Sequence, residues 1–166
     1  MPSGVTFAKA VKAAITLSDA ATANDTVQIG GIVYKFETSG DLAAAYDVLI
    51  ATDATTQATA LVAAINRSGT AGTDYYDTGT LAHPHVTATN SGGAITLTAK
   101  AAGDWAQAIA LVDGLTAGTV GGASFDDITT GTDGSGSLSS WITGLRTGAQ
   151  LNSDVLHELQ ALEDGS

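Results

Sequence analysis

Two stretches of alternating apolar and polar residues, each folded back on a glycine pair, flank one stretch of helical spacing. The first runs from Asn24 to Phe36 and turns at Gly30-Gly31. Both glycines tolerate positive φ, which a tight hairpin turn demands. Folding about that turn sets Ile29 opposite Ile32, Val27 opposite Tyr34 and Asp25 opposite Phe36 on one face. Gln28 with Val33, and Thr26 with Lys35, take the other face. A one-residue slip would exchange the faces, so the alternation fixes the register.

Between the hairpins, Ala58, Leu61, Val62 and Ile65 recur at helical spacing and predict a buried stripe on a helix over 53–66. Asp53 is its N-cap, since a carboxylate there accepts a free backbone N–H. Gly69 is placed to end it. The second hairpin spans Val86 to Ala99. A four-residue loop at Asn90-Ser-Gly-Gly93 sets Ala88 opposite Ile95 and Val86 opposite Leu97, with Thr87 facing Thr96 and Thr89 facing Ala94. One face is apolar and the other is a threonine surface, which suits the solvated side of a half-buried sheet. Shorter extended pieces are expected at Ile15–Leu17, Tyr46–Ile50, Ile109–Val112 and Ser124–Thr130, and a loop at Thr70–Pro84.

These elements predict an α+β domain, mainly antiparallel sheet built from hairpins with one packed helix. An N-terminal arm and a C-terminal helical segment flank it. The expected division is an arm over 1–14, the structural domain over 15–130, and a linker with an assembly segment over 131–166. Gly131-Thr-Asp-Gly-Ser-Gly-Ser137 has linker composition. Beyond it, Leu151, Val155, Leu159 and Leu162 form an apolar stripe, and Trp141, Ile142 and Leu145 form a second apolar group. Those seven residues are the candidate assembly interface, because apolar surface of that size seeks a core or a neighbour.

The chain carries a net charge of −11. Self-repulsion at that charge favours solubility and disfavours direct binding to nucleic acid or to an anionic membrane. There is no cysteine, which excludes disulfides and thiolate metal sites. No apolar run approaches the roughly 20 residues that span a membrane. Lys9 and Lys12 precede Ala13–Leu17, but that apolar stretch is too short and polar for a signal peptide.

Each candidate chemical site has a plainer reading. His83-Pro84-His85 offers two imidazoles but lacks a third ligand at local spacing, and metal sites usually need three or four. Pro84 instead sets the start of a strand. Asp126-Asp127 and Asp133-Gly134 lack the terminal bidentate glutamate of a helix–loop–helix calcium site and read as solvated acidic turns. Gly30-Gly31 and Gly118–Gly122 lack the lysine and hydroxyl of a phosphate loop. No Gly-x-Ser-x-Gly stands at a strand-to-helix turn. The expectation is no enzyme, no catalytic residue, no cofactor and no metal. Trp105 reads as core, whereas Trp141 suits an intermolecular contact.

The combination of Asp25-Thr-Val-Gln-Ile-Gly-Gly-Ile-Val-Tyr-Lys-Phe36, Ala58-Thr-Ala-Leu-Val-Ala-Ala-Ile-Asn66, His83-Pro-His-Val-Thr-Ala-Thr89 and Ile95-Thr-Leu-Thr-Ala-Lys100 resembles a module of tailed-phage structural proteins. That module pairs a "DTVTIGGxxYTF" strand pair with an "AxxLxxAIN" helix and a threonine-rich hairpin. The resemblance covers residues 15 to 112. It implies a structural protein located in the virion, first a capsid decoration or cement protein bound to the major capsid protein or other virion proteins. Homo-oligomers, a trimer among them, would match the local symmetry of a shell. The alternative is a tail tube, adaptor or baseplate component, which would continue strands between neighbours. A third reading is a carbohydrate-binding surface module, with Tyr75, Tyr76 and Trp141 stacking on sugar.

Overall fold

The computed structural model describes residues 11–101 and 108–125. Its elements follow in chain order as Lys12–Leu17 (β1), Thr26–Ile29 (β2), Ile32–Glu37 (β3), Asp47–Leu49 (β4), the helix Ala54–Asn66 (α1), Val86–Ser91 (β5), Ala94–Ala99 (β6), Leu111–Gly114 (β7) and Gly118–Val120 (β8). The strands form two four-stranded sheets, ordered β5-β6-β1-β8 and β4-β3-β2-β7. Among the described strands, only β3 and β4 pair in parallel. The described region is therefore α+β and mostly antiparallel, as the alternation predicts.

The first hairpin adopts the register read from its pattern, Thr26↔Lys35 through Ile29↔Ile32. Gly30 and Gly31 take φ of +53° and +92°, the mirror-image turn that matches strand twist. Val27, Ile29, Tyr34 and Phe36 are wholly buried. Ile32, at the turn, packs on the core while partly exposed.

The helix also begins as expected. Asp53 Oδ1 accepts from the Thr55 and Thr56 N–H groups, each at 2.9 Å. These hydrogen bonds, led by the one from Thr56, hold the Asp53 carboxyl below the usual aspartate range. Ala58, Leu61 and Ile65 are buried. The stop differs from the expected Gly69. Arg67 takes the left-handed conformation, φ +49° and ψ +52°, and its N–H caps Ala63 and Ala64. The strain of that conformation is offset because the same Arg67 side chain is anchored, its Nε donating to the Thr80 carbonyl at 2.7 Å.

The second hairpin differs in register from the expected four-residue loop. Its loop is only Gly92-Gly93, and the pairs run from Val86↔Ala99 through Ala88↔Leu97 to Ser91↔Ala94. Gly92 has φ +60°, and a Cβ on Gly93 would strike the Leu17 carbonyl. The tighter turn adds pairs to the ladder. The shift is two residues, so the apolar and threonine faces survive it.

Smaller differences share one cause: alternation does not reveal partners. β1 begins at Lys12 rather than Ile15, and Val11 and Ala13 of the expected arm are buried. The strand expected at Ile109–Val112 lies at Leu111–Gly114. β8 is not predicted by the pattern, because its three residues carry no apolar alternation. Of the extended piece expected at Ser124–Thr130, Ser124 bridges Ala110, and 126–130 lie outside the described residues.

Both sheets and the helix contribute to one buried apolar cluster. α1 packs on β5, β6 and β1 of the first sheet and on β4 of the second. It thus closes the side of the domain where the two edge strands, β5 and β4, would otherwise stand open. On the opposite side β7 and β8 meet, and Asp113 Oδ2 accepts from the Val120 N–H at 3.0 Å.

Candidate assembly surfaces

Four polar side chains hold this architecture, and three of them lie within the sequence motifs. Asp25 is buried at the head of β2. Its carboxylate accepts from the Thr22 N–H at 2.9 Å, the Thr116 N–H at 3.0 Å and the Thr116 hydroxyl at 2.7 Å. Burial works to raise its pKa, but these hydrogen bonds prevail and hold the carboxyl below the ordinary aspartate range. Asp25 therefore ties β2 to the β7–β8 connection.

Asn66 ends α1 and behaves as one residue of an added strand. Its amide oxygen accepts from the Ala88 N–H at 2.9 Å, and its amide nitrogen donates to the Ala88 carbonyl at 2.7 Å. Gln57, buried on the same helix, serves two chain segments through three backbone groups. Its Oε1 accepts from the Ala51 N–H at 2.9 Å and the Ala21 N–H at 3.2 Å, and its Nε2 donates to the Leu49 carbonyl at 3.0 Å. Periodicity gave no sign of Gln57, because a polar residue on a helix reads as solvated. The available signal was its position one residue before Ala58, at the edge of the apolar stripe.

His83 is the fourth. It is wholly buried, and Nε2 lies 3.1 Å from the Ile29 carbonyl. A carbonyl only accepts, so Nε2 carries the proton and Nδ1 accepts from the His85 N–H at 3.2 Å. Both ring nitrogens are thus committed, and neither has a lone pair left for a metal. Burial lowers its pKa. The His83 and His85 rings stand edge to face with centroids 6.3 Å apart. Among the described residues, no group of three or more His, Cys, Asp or Glu is arranged to hold a metal ion.

A shallow cleft of about 300 Å³ is lined by Gly30, His85, Ala108, Ile109 and Ala110. Its lining is mostly backbone and small apolar side chains, with no acid–base pair. Tyr75 is buried against the core, where it bridges Val48 and Ala71 through its backbone, so it offers no stacking surface. Tyr76 is partly exposed. Trp105, Asp126, Asp127, Asp133 and the expected interface of Trp141, Ile142, Leu145, Leu151, Val155, Leu159 and Leu162 lie outside the described residues.

What remains available to partners is set by edges and faces. Three sheet edges carry internal cover. β5 carries the Asn66 side chain. β4 exchanges backbone hydrogen bonds with the following loop, Leu49 N–H to Asp74 and Tyr76 N–H to Asp47, both at 2.9 Å. At the start of β7, the Leu111 N–H donates to Ala123 at 2.8 Å. Covered edges resist pairing with foreign strands. Among the described residues, the outward faces of the two sheets are the broad surfaces left. On the second sheet, Val33 and Val112 flank Gln28 and are 46% and 51% exposed.

Among the described residues, no helix is long and apolar enough to cross a membrane. Comparison with protein-family models, with curated proteins and with solved structures finds no match.

Proposed function

We propose that this chain is a structural protein of a tailed-phage virion, and in first place a decoration protein on the outer shell. The observation that carries the reading is the way the motif residues work together. Asp25 of the first motif, Asn66 of the helix motif and the paired threonines of the hairpin motif belong to one scaffold. Asp25 latches β2 to the β7–β8 connection and Asn66 latches the helix to β5, while the threonines pair across the hairpin on its outward face. A pattern whose polar residues are spent on holding a rigid domain suits a protein whose work is binding. Contact energy spread over many copies then supplies the function.

The covered edges favour decoration over a tail tube. A tube subunit that continues strands into its neighbours needs open edges, and Ala88 on β5, Asp47 and Leu49 on β4 and Leu111 on β7 already have edge partners within the domain. Cement binding through faces and terminal segments needs none.

The test is co-sedimentation of the purified chain with shells lacking it. Saturable binding at a fixed ratio to the major capsid protein is expected. Absence of binding to such shells, together with rings or tubes formed by the purified chain, would move the protein to the tail.

A further inference from the structure

His83 joins the helix and both sheets through its polar groups. Its backbone N–H donates to the Ile65 carbonyl on α1 at 2.8 Å. Its Nε2–H donates to the Ile29 carbonyl at the end of β2, and its Nδ1 accepts from the His85 N–H. Its carbonyl accepts from Nζ of Lys100, the residue after β6, at 2.6 Å. The His85 carbonyl accepts from the Lys100 N–H at 2.8 Å. Pro84, between the two histidines, has no N–H to add. The segment 83–85 is therefore held by single bonds to different elements, and the ladder begins only with β5 at Val86.

The ring lies wholly buried against the first hairpin turn. A Cβ on Gly30 would stand 3.7 Å from Cε1 and Nε2 of His83 and 3.2 Å from the Ile109 side chain. One of its bonds depends on its charge state. Nδ1 accepts from the His85 N–H only while it keeps its lone pair, and protonation sets a donor against a donor. The bond to Ile29 survives, since Nε2 keeps its hydrogen. Nothing described there compensates the charge. His85 and Lys100 are the charged groups that act on the ring, and neither is an acid. α1 and β2 present the Ile65 and Ile29 carbonyls to the residue, and the loop before β7 presents the alkyl side chain of Ile109 near the same glycine. Among the described residues, neither ion pair involves His83. A buried cation without a partner is costly.

We propose that His83 is an acid-operated latch: protonation at Nδ1 releases residues 83–85 from the Gly30 turn and from α1, while both sheets and the helix stay folded. The cleft beside the ring gives it a way out. Gly30 and His85 line that cleft, and the His83 ring touches the first and is bonded to the second. Release of a short segment held by few bonds takes less free energy than unfolding the core. Histidine is the side chain whose charge changes in mildly acid solution, which sets the range in which the latch works. Acid thereby opens the cleft and frees the entrance to β5. The latch acts within one chain and does not depend on what the chain binds.

NMR of the full wild-type chain, titrated from about pH 7.5 to about pH 4.5 around the histidine range, tests it without a variant that might misfold. The His83 ring signal is assigned by comparison with His85→Gln and His157→Gln. It should titrate with a midpoint below 6.5, and the His85 amide signal should move with the same midpoint. The Leu61 and Ile15 amides, in α1 and β1, should keep their native positions throughout. Hydrogen exchange adds a second readout. The His83 and Lys100 amides should exchange through an opening that leaves Leu61 and Ile15 protected. Their exchange, corrected for its intrinsic rate, should quicken about tenfold or more between about pH 7 and about pH 5, since each pH unit below the unfolded value favours the open form about tenfold. In His83→Gln, whose amide can accept from His85 and donate to Ile29 at every pH, that quickening should vanish. Three results would overturn the latch. His83 could titrate only as Leu61 and Ile15 lose their native signals, it could titrate with the His85 amide unmoved, or the His83 and Lys100 amides could be as protected as Leu61 at every pH.

Discussion

Tyr34 is wholly buried in the second sheet, and among the described residues its hydroxyl has no hydrogen-bond partner. Its ring meets Tyr46 edge to face at 5.6 Å. Burial pushes the phenol pKa well above its ordinary value, so the group stays neutral but unsatisfied. An unmet buried hydroxyl costs free energy that a phenylalanine would not. Tyr34→Phe should leave the denaturation midpoint unchanged or raise stability by up to about 1 kcal/mol. A loss of that size instead would mean the hydroxyl has a partner. His83 gives the opposite dependence on polarity. It is held neutral, and its Nδ1 cannot accept from His85 once protonated. A histidine in the unfolded chain takes up its proton near 6.5, so below that pH the unfolded state binds more protons than the folded one. Stability should fall from pH 6.5 downward until the folded histidine itself protonates. Asp25, whose carboxyl is held low, adds a separate loss below its ordinary value of 3.8. Urea denaturation across pH 4.5 to 7.5, an interval set about the histidine value, should show the first slope in wild type and lose it in His83→Gln. A flat wild-type profile would contradict the burial of a neutral His83.

At the scale of elements, local pattern and tertiary partner contributed differently. The β2–β3 register and the start of α1 were legible because alternation, a glycine pair and an N-cap each act within a few residues. The second hairpin was legible in its faces but not in its loop length, since a shift of two preserves the faces. The parallel β3–β4 pairing left no local trace. Neither did Gln57, whose partners lie in two segments, Ala21 in one and Leu49 with Ala51 in the other. Gln57→Leu keeps most of the volume but strands those backbone groups. It should cost on the order of 3 kcal/mol, because each unsatisfied buried group costs about 1–3 kcal/mol. Thermal or urea unfolding of the variant checks this. A change under about 0.5 kcal/mol, the range of ordinary surface substitutions, would show that water replaces the amide without penalty. The threonine face was half legible. The sequence displays it on the β5–β6 hairpin, but only the order β5-β6-β1-β8 extends it across four strands.

For the whole molecule, the apolar cluster reaches from Val11 to Phe125 and includes α1 and strands of both sheets. Every described element contributes to it or pairs with one that does. Truncation after Gly131 should therefore leave a cooperatively folded domain, while weakening oligomerisation or virion binding if the 138–162 segment serves assembly. Far-UV circular dichroism of the truncated chain checks the first part, and an unfolded spectrum would assign that segment to the core. The expected interface residues Trp141 to Leu162 rest on apolar spacing alone, and the described residues add two further surfaces, the sheet faces. Both kinds of surface serve the same central claim, that this protein works by occupying a place in a virion. The most direct test is low-resolution imaging of purified virions that carry a labelled copy of the chain. Label distributed over the outer shell at regular positions is the predicted result. Label confined to the tail would contradict the decoration role, and virions without the chain would contradict the virion role itself.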